Sequence, residues 1–113
     1  MGEPADRLTG GELIDLLRRR GGASYEMQLV QRRGRLYLQV MWAYLEQQSF
    51  PLAADAYSEH IASLAALLNR LGVALDVRDW LTTTTDRPRL GKAMTLPLSV
   101  SPTLASEFLI DGT

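Results

Sequence analysis

The chain predicts a single α+β domain, an antiparallel sheet of about three strands packed against about four helices. Three observations lead there. Residues 25–31 and 35–42 alternate apolar and polar side chains on either side of a glycine-bearing turn, the period of two that a half-buried hairpin requires. Residues 52–71 instead carry their apolar side chains at helical spacing. A length of 113 residues, 46% of them hydrophobic and 22% charged, is ordinary for one globular domain, which at this size needs neither metal nor disulfide to close a core.

In chain order, residues 1–8 read as a flexible N-terminus, residues 9–109 as the domain and residues 110–113 as a flexible C-terminus. Thr9-Gly-Gly-Glu12 has the form of a capping box, in which Thr9 accepts from the backbone of residue 12 while the Glu12 carboxylate reaches back. A helix starts there, with Leu13, Ile14, Leu16 and Leu17 on its apolar face. Arg18, Arg19 and Arg20 sit in its last turn, where cations suit the helix dipole, and Gly21-Gly22 ends it.

The first strand sets Tyr25, Met27 and Leu29 against Glu26 and Gln28. Gly34 then supplies the positive φ of a tight connection, and the turn exposes Arg32, Arg33 and Arg35. In the second strand Leu36, Leu38, Val40 and Trp42 share one face. From Trp42 onward, Ala43-Tyr-Leu-Glu-Gln-Gln48 are good helix formers and predict a short helical turn, ended by Phe50-Pro51. Trp42, Tyr44 and Phe50 are assigned to the core, as large aromatics usually are. Were Tyr44 or Phe50 to emerge beside Gln47, the three would instead mark a partner surface.

Residues 52–71 form the longest helix, with Tyr57, Ile61, Leu64, Ala65, Leu68 and Leu71 inward and Gly72 as its stop. Val73 to Leu81 predict a further short helix, with a strand as the second reading, and Thr82 to Thr85 a loop, since β-branched polar residues pack and cap helices badly. Residues 93–98 read as a strand that Pro97 confines to a sheet edge or a strand end, and residues 102–109 as one last helical turn.

Composition narrows the chemistry. With no cysteine there is no thiol nucleophile, thiolate zinc site or disulfide. A net charge of −1 gives the molecule no general attraction for nucleic acid or anionic lipid, so any basic function is local. The first residues lack the basic and apolar regions of a secretory leader, and no apolar run reaches the roughly 18 residues of a membrane span.

Among candidate sites, Arg87, Arg89 and Lys92 flank Pro88 and Gly91, so three cations ride a stiffened loop suited to a phosphate, a carboxylate or an acidic protein surface. A Walker A loop is excluded, because Ala93 follows Gly91-Lys92 and Asp86 stands where the first glycine belongs. If the clusters at 18–20, 32–35 and 87–92 converge, Tyr37 or Trp80 beside them is placed to stack a base. His60, the one histidine, lies at the margin of the buried stripe and reads as a hydrogen-bonded structural residue. The pairs Glu12/Asp15, Asp55/Glu59 and Asp76/Asp79 sit where helix starts favour acids and read as caps, not as a catalytic dyad.

Leu36-Tyr-Leu-Gln-Val-Met-Trp42, Tyr44-Leu-Glu-Gln47, Ser49-Phe-Pro-Leu52, Tyr57 with His60, and Arg87-Pro-Arg-Leu-Gly-Lys-Ala93 together resemble a small family of cyanobacterial and chloroplast proteins classed as a domain of unknown function. The resemblance runs over residues 9–100 and implies a lineage of oxygenic photosynthesis, a cytosolic or stromal location and a compact α+β fold. The combined expectation is a non-enzymatic binding or assembly factor without a cofactor. It docks an acidic or phosphate-bearing protein partner through Arg87, Arg89 and Lys92 beside the turn holding Arg32, Arg33 and Arg35. RNA is the alternative partner, and a small-molecule regulator or enzyme the third reading. Oligomeric state is not encoded in any feature of the sequence.

Overall fold

The computed structural model describes residues 7–44, 46, 50, 52–86, 88–89 and 91–100. Within them run α1 (Gly10–Gly21), β1 (Tyr25–Arg32), β2 (Arg35–Tyr44), α2 (Ala54–Arg70), α3 (Ala74–Thr83) and β3 (Met94–Pro97). The class is α+β as expected, with three helices among the described residues where about four were predicted. The predicted turn over residues 102–109 lies outside the described residues.

Local chemistry sets each element. Thr9 Oγ1 accepts from the Glu12 N–H at 3.1 Å, and Gly22, at φ 79°, donates to the Arg18 carbonyl at 2.8 Å, so α1 has both of its expected caps. The returning half of the capping box is absent. Glu12 turns instead to Arg78 on α3, accepting from its Nη2 at 2.9 Å and also from its Nε. The β1–β2 turn places both Arg33 (φ 52°) and Gly34 (φ 77°) in the left-handed region, as a two-residue hairpin of type I′ demands. The sheet is antiparallel in the order β1-β2-β3, with Met27 opposite Val40, Arg32 opposite Arg35 and Val40 opposite Met94.

One face of that sheet closes the core. Met27, Leu36, Leu38, Val40 and Met94 pack in one cluster with Leu13, Leu17, Ile61, Leu64, Leu68, Val77 and Leu81 of the helices. Fully burying side chains of this kind contributes about 1.5–3 kcal/mol each, which makes this cluster the main source of stability. The chain bends by 120° between α2 and α3, where Gly72 takes φ 76°, and both helices turn their apolar residues to this cluster. No single helix among the described residues is long and apolar enough to cross a membrane.

Four expectations are corrected. β2 continues to Tyr44 where a helical turn was predicted from Trp42, because pairing with β1 resumes at Tyr25 opposite Tyr44 and outweighs the helical propensity of three residues. Trp42 is not core but 37% exposed. The register explains it: Met41, Trp42 and Ala43 face Glu26 alone, so a bulge in β2 pushes Trp42 out of the alternation. Leu8, expected in the flexible N-terminus, is buried and held from both sides, its N–H given to Asn69 Oδ1 and its carbonyl accepting from Asn69 Nδ2, each at 2.8 Å. Finally, α3 extends two residues into the threonine run, and the hydroxyls of Thr82 and Thr83 satisfy themselves on the carbonyls of Arg78 and Asp79 one turn back.

β1 is an edge strand, and α2 closes part of that edge. Tyr57, buried, donates its hydroxyl to the Tyr25 carbonyl at 2.6 Å, and His60 Nε2 lies 2.8 Å from the Met27 carbonyl and 3.0 Å from Glu26 Oε1. Glu26 also accepts from the Met27 N–H at 2.9 Å. His60 is thus a hydrogen-bonded structural residue.

Helix packing generates a prediction. A Cβ on Gly10 meets the backbone of Ala62 at 2.9 Å, whereas one on Gly11 meets only Thr9 Oγ1 at 3.9 Å. Gly10→Ala is expected to lower the unfolding free energy by about 1–3 kcal/mol through overpacking. Gly11→Ala, which gains helix propensity without a clash, should match or exceed the parent. Urea midpoints of the two variants check the opposite signs.

Candidate functional site

Several contacts tie down the described residues of the segment that precedes β3. Thr84 Oγ1 accepts from the Asp86 N–H at 3.1 Å, and Pro88 is buried in a small cleft with Leu17, Arg20, Gly21, Tyr25, Val40 and Met94. From that anchor the chain turns back on itself. Arg89 and Lys92 exchange both backbone hydrogen bonds, at 2.9 and 2.8 Å, and Gly91 at φ 78° makes the turn possible. Both cations are exposed, and they stand at the mouth of an open groove of about 340 Å³ lined by Asp86, Arg89, Lys92, Ala93, Met94 and Thr95. The described lining carries two positive charges and one negative.

Arg87 lies outside the described residues. Arg32, Arg33 and Arg35 are all exposed, but they are not beside this loop. β3 runs antiparallel to β2 with Met94 opposite Val40, so Lys92 enters at the far end of β2 from the hairpin. Five residues of extended chain, about 17 Å, separate the level of Val40 from Arg35. That separation corrects the expected juxtaposition. The neighbour of the loop is the C-terminal end of α1, whose Arg20 shares the Pro88 cleft with Asp86. The sequence offers Arg20 both as helix-end charge and as part of the 18–20 cluster that could converge with the others, but the pairing of β2 with β3, which brings it close to the loop, has no local signal.

Arg18, one residue group further back, is occupied. Its Nε donates to Ser24 Oγ at 2.7 Å, and its guanidinium lies 3.8 Å from Glu46. Ser24 is buried and gives both its N–H and its hydroxyl to the Glu46 carboxylate, at 2.9 and 2.8 Å. Burial alone would push the Glu46 carboxyl up, but the bonds from Ser24, one from its own backbone and the charge of Arg18 hold it below its usual value. Glu12 is likewise held below the usual carboxylate range, chiefly by the bond from Arg78 and against the pull of burial. Tyr57 moves the other way: burial first, then Glu26 and Glu46 nearby, raise its hydroxyl well above the usual value, so it remains a donor to Tyr25.

Of the surface expected from Tyr44, Gln47 and Phe50, only the Phe50 side chain is among the described residues. Gln47 and the side chain of Tyr44 lie outside the described residues. Phe50 packs edge-to-face on Tyr57 with ring centroids 5.9 Å apart, half-buried against the core. Tyr37 is half-buried near the 32–35 turn, at the other end of β2 from Lys92, and Trp80 is half-buried against the core. Among the described residues no three His, Asp or Glu side chains are grouped to hold a metal.

A family model for a domain of unknown function, DUF3067, matches residues 11–109. Among solved structures, the chain is similar to the solution NMR structure of the Alr2454 protein from Nostoc sp. strain PCC 7120. The two are 46% identical, the match covers 90% of this chain and 97% of that one, and the TM-score is 0.80. No curated protein matches.

Both lowered carboxylates link stability to pH with the same sign. Their folded forms bind protons less readily than the unfolded chain, so the stability they add is complete above the ordinary carboxylate value and is lost as pH falls through their lowered values. Glu12→Gln should therefore flatten the fall of the urea midpoint between about pH 5 and pH 3. A titration of midpoint against pH for parent and variant checks it.

Proposed function

We propose that this chain, which belongs to the DUF3067 family, a domain of unknown function, is a non-enzymatic binding and assembly factor of oxygenic phototrophs that docks an acidic or phosphate-bearing protein. It works in the cytosol, or in the stroma for plastid relatives. The similarity to a cyanobacterial protein from Nostoc supports the lineage.

One observation carries the reading: Arg89 and Lys92 are held on a turn closed by two backbone bonds and anchored by buried Pro88, at the mouth of a groove. A partner carboxylate or phosphate then meets cations whose backbone is already ordered, so less conformational entropy is lost on docking than with a free loop. Arg20 of the neighbouring helix end lines the adjoining Pro88 cleft, which shares Asp86 and Met94 with the groove, and adds positive charge there in place of the hairpin arginines. Asp86 in the same lining disfavours a bare polyanion and favours a partner that offers both an acid and a donor. The distance between this loop and the 32–35 turn weighs against RNA, which would draw on a continuous basic surface with stacking aromatics.

The test is affinity purification of the tagged chain from an oxygenic phototroph with gently solubilised membranes, run with and without nuclease. Protein partners are expected to survive nuclease, and Arg89→Ala/Lys92→Ala to release them at least about tenfold more readily, in line with two lost charge-assisted bonds. Partners retained unchanged by the double variant, or held only through RNA, overturn the proposal.

A further inference from the structure

We infer that the outer edge of β1 at Leu29–Gln31, to which nothing bonds among the described residues, is a second docking site, which adds an extended acidic segment of a partner protein as a fourth strand of the sheet. It lies at the hairpin end, away from the 88–92 loop, and does not rest on that loop's reading.

The pairing fixes which backbone groups face out. Arg32 and Arg35 flank a two-residue turn and so form a hydrogen-bonded pair. By alternation Val30, Gln28 and Glu26 also point to β2, and Gln31, Leu29, Met27 and Tyr25 point away. The side chains agree: the carbonyls of Tyr25 and Met27 are the ones met by Tyr57 and His60, and the Met27 N–H is the one met by Glu26. That closure stops at Met27. Beyond it, Leu29 and Gln31 each present an N–H and a C=O, and among the described residues no side chain of α2 bonds to them.

The opposite edge is guarded differently. The Leu98 N–H donates to the Leu36 carbonyl at 3.0 Å, so on β3 the groups of Thr95 and Pro97 face away, and at Pro97 there is no N–H to offer. One sheet edge is thus blunted by a proline and half of the other is covered by α2. An exposed edge with neither device is where a further strand adds.

Charge selects the occupant. Arg32, Arg33 and Arg35 are exposed at the end of this edge, with Gln28 and Gln31 as the other exposed side chains along it. Two copies of the chain pairing here would bring six arginines to one short ribbon and repel. A segment with acidic residues at the end that pairs beside Arg32 would place its carboxylates against them.

The test is a selection of random peptides of about eight residues on the full chain, followed by NMR amide exchange with the selected peptides. Acidic residues clustered at one end of the peptide and slowed exchange at Leu29 and Gln31 are expected. Gln31→Pro, which removes an outward N–H, and Arg32→Glu/Arg35→Glu, which keeps the edge and reverses the charge, should each weaken binding about tenfold or more. Arg89→Ala/Lys92→Ala should leave it unchanged. Peptides without acidic residues, binding that survives both edge variants, or Leu29 and Gln31 amides that gain protection with protein concentration alone overturn the inference, the last by making a second copy the occupant.

Discussion

A sheet of three strands buries one face and leaves two edges, and the fold depends on how α2 is seated against one of them. Tyr57 and His60, three residues apart on the helix, reach alternate carbonyls of β1 at Tyr25 and Met27. That fit registers the helix to the strand and places Ile61, Leu64 and Leu68 over the apolar face of the sheet. A phenol hydroxyl fully withdrawn from water needs its acceptor, so the 2.6 Å bond to Tyr25 fixes the helix against sliding as well as adding affinity.

From this seating the second site-forming feature follows. With α1 packed along α2 and over the sheet, its C-terminal end meets β3 where that strand enters, and Pro88 fills the remaining cleft. The basic turn is therefore supported from below by core residues instead of hanging from the surface. Binding loops that must be both exposed and ordered commonly combine these two conditions.

What the sequence disclosed follows the range of the interactions involved. The caps of α1, the Gly34 hairpin, the stripe of α2 and the edge role of Pro97 are all decided within a few residues, and each was legible. Trp42 misled because its alternation with Val40 is intact in the sequence. Only the resumption of pairing at Tyr25, a residue seventeen positions earlier, reveals the bulge. The Glu12–Arg78 and Leu8–Asn69 pairs span 66 and 61 residues and carry no local mark at all. The basic loop was visible as composition, but its company was not: which of the two other arginine clusters it meets is a property of β2–β3 register.

The reciprocal bonds between Leu8 and the Asn69 amide have a consequence for how the chain folds. Asn69 offers one acceptor and one donor to a single residue, as a neighbouring strand would, and so fastens the lead-in to α1 onto the end of α2. That clasp, and the Arg78 grip on Glu12, exist only after most of the chain has been made. The hairpin is built from neighbours, whereas these two ties of α1 to α2 and α3 close loops of more than sixty residues. The contacts that fasten the first helix to α2 and α3 thus carry the larger loop-closure cost, and those of the hairpin the smaller.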